Sequence, residues 1–72
     1  MPVLMILVTS SQIAYIGYDE DTKDLYVTFN NGSTYKYENV PNSVFIDFEQ
    51  SESIGKYFSA NIKDKYNTIK IK

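Results

Sequence analysis

Apolar and polar positions along the chain follow three different patterns. Residues 3–8, Val-Leu-Met-Ile-Leu-Val, are apolar without a break, which fits a strand buried on both faces or docked against a second subunit. The pattern then becomes two-periodic. Ile13, Tyr15 and Gly17 alternate with Ala14, Ile16 and Tyr18; after the polar turn at 19–24, Leu25, Val27 and Phe29 alternate with Tyr26, Thr28 and Asn30. Both segments predict strands. Asn31-Gly32 turns the chain into a third strand over residues 34–38. Next the period lengthens. Val44, Phe45 and Phe48 share one face of a helix, and Pro41 suits its first position, where the N–H that proline lacks would have no partner. Near Ser51 this helix stops, and Ser53 can cap a second, with Ile54, Tyr57, Phe58 and Ile62 as its inward stripe. Gly55 costs that helix about 1 kcal/mol against alanine, so close packing is expected there. Finally, Ile69 and Ile71 alternate with lysines, which predicts a short C-terminal edge strand whose charges discourage aggregation.

The order predicts one α+β domain over residues 1–72, with 1–9 an apolar extension or strand. Its centre is an antiparallel three-stranded meander followed by two short helices on one sheet face. Two hairpin registers are open at Asn31-Gly32. A two-residue loop pairs Thr28 with Tyr35 and Tyr26 with Tyr37. A three-residue loop with Gly32 at the bulge pairs Val27 with Tyr35 and Leu25 with Tyr37. The bulged register is preferred, because the alternative turns two large aromatics away from Leu25, Val27 and Phe29. Tyr35 and Tyr37 then face the helices, and Lys36 points the other way beside Tyr26 and Thr28. Gly17 and Gly32 read as bulge and turn positions.

Seventy-two residues make a small domain, one that buries only ~60% of its unfolded surface. Neither cysteine nor histidine occurs, which removes disulfides, Cys/His metal sites and imidazole bases together. No metal or cofactor is expected. The net charge of −2 conceals a split. Residues 1–53 carry two lysines against eight carboxylates, a balance of −6, and residues 54–72 carry five lysines against Asp64, a balance of +4. Arginine is absent, so the planar fork that reads guanine edges is missing. The apolar run at 3–8 is far shorter than the ~20 residues that span a bilayer and lacks a preceding basic region. A cytoplasmic protein is expected, and the richness in Ile, Lys, Asn and Tyr points to an AT-rich bacterial or phage source.

The succession Ser10-Ser11-x-Ile13, Gly17-Tyr18-Asp19, Leu25-x-Val27-x-Phe29, Gly32, Tyr35-x-Tyr37, Val40-Pro41, Ser53-x-Gly55-x-Tyr57-Phe58 and Ile62-Lys63-x-x-Tyr66 resembles the KTSC domain. That family is named for a module at the C-terminus of some lysyl-tRNA synthetases. The resemblance runs from residue 10 to about 66, and it implies an α+β fold and no known catalysis. Gly32, Tyr35, Tyr37, Pro41 and Gly55 are its structural marks. This chain departs from the pattern in Ser51, in Ile54 and in Lys63, where arginine is common.

Two functional readings follow. In the first, the chain is a non-enzymatic binder of RNA or a small nucleotide-type ligand. Its aromatics would stack on bases; Ser10, Ser11, Lys56, Tyr57, Lys63 and Tyr66 are the candidate contacts. The acidic body and the lack of arginine favour a small nucleotide over long RNA. In the second, the chain is a protein–protein or homo-oligomeric module working through its N-terminal apolar run. An enzyme is not expected. The carboxylates at 19–21 have no calcium-loop spacing, and paired serines such as Ser10-Ser11 usually serve turns and caps.

Overall fold

The computed structural model describes residues 4–72. It contains five strands, β1 (Met5–Leu7), β2 (Ile13–Asp19), β3 (Asp24–Phe29), β4 (Thr34–Tyr37) and β5 (Thr68–Lys70). They form one antiparallel sheet in sequential order, β1-β2-β3-β4-β5. The three-stranded meander expected from the sequence is therefore its centre, extended by β1 on one side and β5 on the other. Two helical segments, α1 (Asn42–Glu49) and α2 (Ile54–Tyr57), lie between β4 and β5. A π-helical turn over Phe58–Ile62 continues α2 without a break.

The bulged hairpin register is the one adopted. Leu25 pairs with Tyr37 and Val27 with Tyr35, and the Phe29 N–H donates to the Ser33 carbonyl at 2.8 Å. Gly32 takes φ +92°, where a side chain would strain the turn. Leu25, Val27 and Tyr37 consequently face the helices and are buried. Lys36 faces the opposite side, paired across the ladder with Tyr26 and reaching Glu38 at 3.9 Å.

One irregularity contradicts simple alternation. The ladder between β2 and β3 shifts between Ile13 and Tyr15, so Ala14 is the bulged residue. Ile13 and Ile16 both reach the core, although three residues apart in a strand. Gly17, expected at a bulge, instead sits within the ladder opposite Met5 and Tyr26. The N-terminal run is likewise not buried on both faces. Ile6 and Val8 pack on the core while Leu7 is 72% exposed on the other side; Val3 lies outside the described residues.

Pro41 stands one position earlier than expected, as the extended residue that precedes α1. Ser53 caps α2 as its sequence suggests, accepting the Lys56 N–H at 3.3 Å. Phe58 is the hub of the interior. Its ring lies edge-on to Phe29 at 5.5 Å and Tyr37 at 5.6 Å, and 6.4 Å from Phe48. Phe48 in turn stacks on Tyr57. The other seam is closed by Tyr18, which stacks on Phe45 at 4.9 Å and donates its hydroxyl to the Val40 carbonyl. All of this occupies one face of the sheet. The opposite face carries Tyr15, Tyr26, Thr28, Thr34, Lys36 and Ile69 with no layer over it among the described residues.

Candidate functional site

Five strands at ~4.8 Å spacing make a sheet some 20 Å or more across. The nine residues from Ile54 to Ile62 give at most ~14 Å of helix. This segment alone does not span the inner face, and among the hollows at its margin two bring candidate residues together.

The first has a volume of about 710 Å³ and lies between the β1–β2 connection and the start of α2. Ser10, Ser11, Ser53, Lys56 and Ser59 supply its polar lining, with Glu52 among them. The Ser10 Oγ accepts the Gln12 N–H at 3.2 Å and the Ile13 N–H at 3.3 Å, which fixes the connection and leaves the hydroxyl proton available. The Asn30 side chain steadies the same loop by donating to the Ser10 carbonyl at 3.3 Å. Gly55 forms part of the floor. A methyl group there would meet the Ser10 Oγ at 3.6 Å and the Gln12 Oε1 at 3.8 Å, which is ordinary contact.

The second hollow, about 510 Å³, has an aromatic floor of Phe29, Tyr35, Tyr37 and Phe58. Phe29 and Tyr35 meet edge to face at 5.7 Å. Lys63 and Asp64 stand on its rim. Burial, then the neighbouring Tyr35 and Asp64, push the Tyr37 hydroxyl up to about 12. It therefore stays protonated and can donate a hydrogen bond at any physiological pH. Gln12 and Ser59 line both hollows, so the two adjoin there.

Of the candidate contacts, Ser10, Ser11 and Lys56 line the first hollow and Lys63 the second. Tyr57 and Tyr66 go elsewhere. Tyr57 lies on Phe48 at 5.7 Å, its hydroxyl held above the ordinary tyrosine range by burial and then by Asp47 and Tyr66. Tyr66 packs against the core. Gln12, Phe29 and Ser59 line the hollows without having been singled out, and Tyr35 joins them although it reads as a structural mark. The bulged register already placed Phe29 and Tyr35 on the helix side. The shortness of the helices was the available signal that they would stay open. Among the described residues no group of three or more His, Cys, Asp or Glu could hold a metal ion.

A family model described as the KTSC domain matches residues 9–66. The chain belongs to the KTSC domain family. A protein from Tsukamurella paurometabola is 36% identical over 62 residues, covering 86% of this chain and 92% of that one. An uncharacterized protein from Stutzerimonas stutzeri is 31% identical over 61 residues, covering 85% of this chain and 86% of its own length. A lysine–tRNA ligase from Nostoc punctiforme is 38% identical over 56 residues, 78% of this chain but only 10% of the ligase. The crystal structure of a KTSC domain protein from Yersinia pestis superposes with a TM-score of 0.93 at 36% identity, covering 99% of this chain and 100% of that one. This KTSC domain thus shares its whole fold with a solved relative, β1 and β5 included.

Proposed function

We propose that this KTSC domain is a non-enzymatic binding module for a small nucleotide-type ligand or the end of an RNA strand. One observation carries the reading: a hydroxyl- and lysine-lined hollow adjoins, at Gln12 and Ser59, a second hollow lined by aromatic rings. A nucleotide has the same two-part chemistry. Its base would lie against Tyr35 and Phe29, where stacking is worth ~1–3 kcal/mol. Its phosphate would turn toward Ser10, Ser11 and Lys56, with Lys63 on the rim of the aromatic hollow. Two lysines suit one or two phosphates better than a long polyanion, and Glu52 and Asp64 beside them oppose extended backbone tracking. The lysine–tRNA ligase relative acts on an RNA substrate, which supports the same class of ligand.

Binding rather than catalysis is proposed because the chain has no histidine or cysteine and the Ser10 Oγ is committed to two backbone N–H groups. A cytoplasmic setting belongs to the proposal; among the described residues no helix is long and apolar enough to cross a membrane.

The test is a titration of labelled protein with mono-, di- and triphosphates of each nucleoside and with short RNA oligomers, followed by NMR. Shifts are expected at Ser11, Gln12, Tyr35, Ser59 and Lys63. Tyr35→Ala should weaken binding roughly 5- to 150-fold, the equivalent of one lost stacking contact. Silence of all five residues toward every ligand up to millimolar concentration would end the proposal.

A further inference from the structure

The first charged side chain in the sequence is Asp19. Strand β1 consequently carries none, and it stands at the edge of the sheet with no strand beyond it among the described residues. The other edge is different: β5 and the residues after it bear Lys70 and Lys72, which deter strand addition. Among the described residues, only the β5 edge is guarded by charge.

The ladder shows which backbone groups β1 has left over. The Val8 N–H donates to the Ala14 carbonyl at 3.0 Å, and Ile6 pairs with Ile16 in the same phase. Alternation in an antiparallel pair then turns the N–H and C=O of Met5 and Leu7 away from β2, toward open space. Side chains of β1 are exposed in the same region. Leu4 is 82% and Leu7 72% exposed, the two most exposed large apolar residues in the described chain. Beside the strand on the helix side is a groove of about 360 Å³ walled by Ile6, Val8 and Ile54, with Glu49 and Glu52 on its rim.

We infer that β1 is a homodimer interface, pairing antiparallel with β1 of a second copy about a two-fold axis through Ile6. This register matches Met5 with the other copy's Leu7 through the outward backbone groups, and opposes Ile6 to its own counterpart. Leu4 then lies opposite Val8, on the face that holds the groove, so the most exposed leucine of each copy enters the hollow of the other. Leu7 packs beside Met5 on the open face. A second copy is the occupant that fits, for three reasons. The strand is self-complementary under a two-fold operation, giving a closed isologous pair. It brings no charge into the contact, whereas an acidic partner segment would meet Glu49 and Glu52. Pairing of β1 with β5 of another copy, which would propagate into open fibres, is opposed by Lys70 and Lys72.

Light scattering on the full chain, from micromolar to submillimolar concentration, tests this. The expected mass is twice the 8.3 kDa of one chain. Leu7→Pro removes an outward N–H that the monomer does not use and should halve the mass. Leu4→Asp, at a position outside the core, places a carboxylate beside Glu49 and Glu52 and should do the same while leaving the NMR dispersion of the fold intact. Lys70→Glu should leave the mass unchanged. A monomeric full chain, or a dimer that survives Leu4→Asp, or one abolished by Lys70→Glu alone, would each overturn the inference. The nucleotide titration is judged separately, at Tyr35 and Lys63, which line the hollow away from β1.

Discussion

Gly55 has no structural excuse in this fold. Its backbone is helical with no positive φ, and a methyl group would fit at 3.6 Å from Ser10 Oγ and 3.8 Å from Gln12 Oε1. The expected close packing is present, yet at a distance alanine tolerates. Glycine still costs the helix about 1 kcal/mol against alanine. Gly55→Ala should therefore raise the urea midpoint by the equivalent of roughly 0.5–1 kcal/mol. Because the methyl would rise from the floor of the hydroxyl-lined hollow, the same variant should bind nucleotide more weakly. A fall in stability would show instead that the glycine serves packing. Tyr37 makes a second prediction. Its hydroxyl ionises near 12 in the fold against 10.0 when unperturbed. A raised value for an acid means that the folded state prefers the neutral form. The associated stability is complete below pH 10 and is lost as pH rises toward 12. Urea midpoints measured across that window should fall, and Tyr37→Phe should flatten the decline. Both residues were conspicuous in the sequence, Gly55 as a helix breaker and Tyr37 as half of a Tyr-x-Tyr pair. Their surroundings were not: the Ser10–Gln12 loop over Gly55 and Asp64 near Tyr37 come from distant parts of the chain.

At the scale of elements, hydrophobic period located β2, β3, β4 and both helices, and the lysine-flanked isoleucines located β5. What it missed was the bulge at Ala14. Strict alternation puts Ile13 and Ile16 on opposite faces, whereas the extra residue turns both inward. A bulge is fixed by the partner strand and the core it must fill, and no residue type in Ile-Ala-Tyr-Ile announces it. The hollows escaped for a related reason. Ser10, Ser11, Lys56 and Lys63 stood out by their chemistry, but Gln12, Phe29 and Ser59 matter only because the helical layer is narrower than the sheet. Turn chemistry offers a test at this scale. The β2–β3 turn ends in Lys23 at φ +62°, held by its N–H to the Asp19 carbonyl at 2.7 Å. A left-handed residue with a side chain costs roughly 1–2 kcal/mol, offset in part by the greater unfolded-state freedom of glycine. Lys23→Gly should thus stabilise the domain by about 0.5–1 kcal/mol, read as a higher thermal midpoint. An unchanged or lower midpoint would mean that the turn relaxes at no cost.

For the whole molecule the informative quantity is where the lysines fall. The acidic first part of the chain supplies most of the sheet and α1, and the basic residues 54–72 supply α2, the π-helical turn and β5. Lys56 and Lys63 reach the hollows, while Lys70 and Lys72 lie along and just beyond the β5 edge. A small nucleotide held in the hollows would engage only the first pair. RNA laid along the C-terminal segment would engage all of them and Lys65 as well. Salt separates these two modes, because each phosphate neutralised on a single strand contributes about −0.7 to the slope of log K against log salt. Two contacts give a slope of about −1.4, and five give about −3.5. The acidic body and the carboxylates at Glu52 and Asp64 favour the shallow value. Affinities for a nucleoside triphosphate and for a short RNA oligomer, each measured across a salt series, should both show the shallow slope. If the oligomer alone gives the steep one and loses it on Lys70→Ala with Lys72→Ala, the ligand is a strand that follows the β5 edge, and the hollows hold only its end.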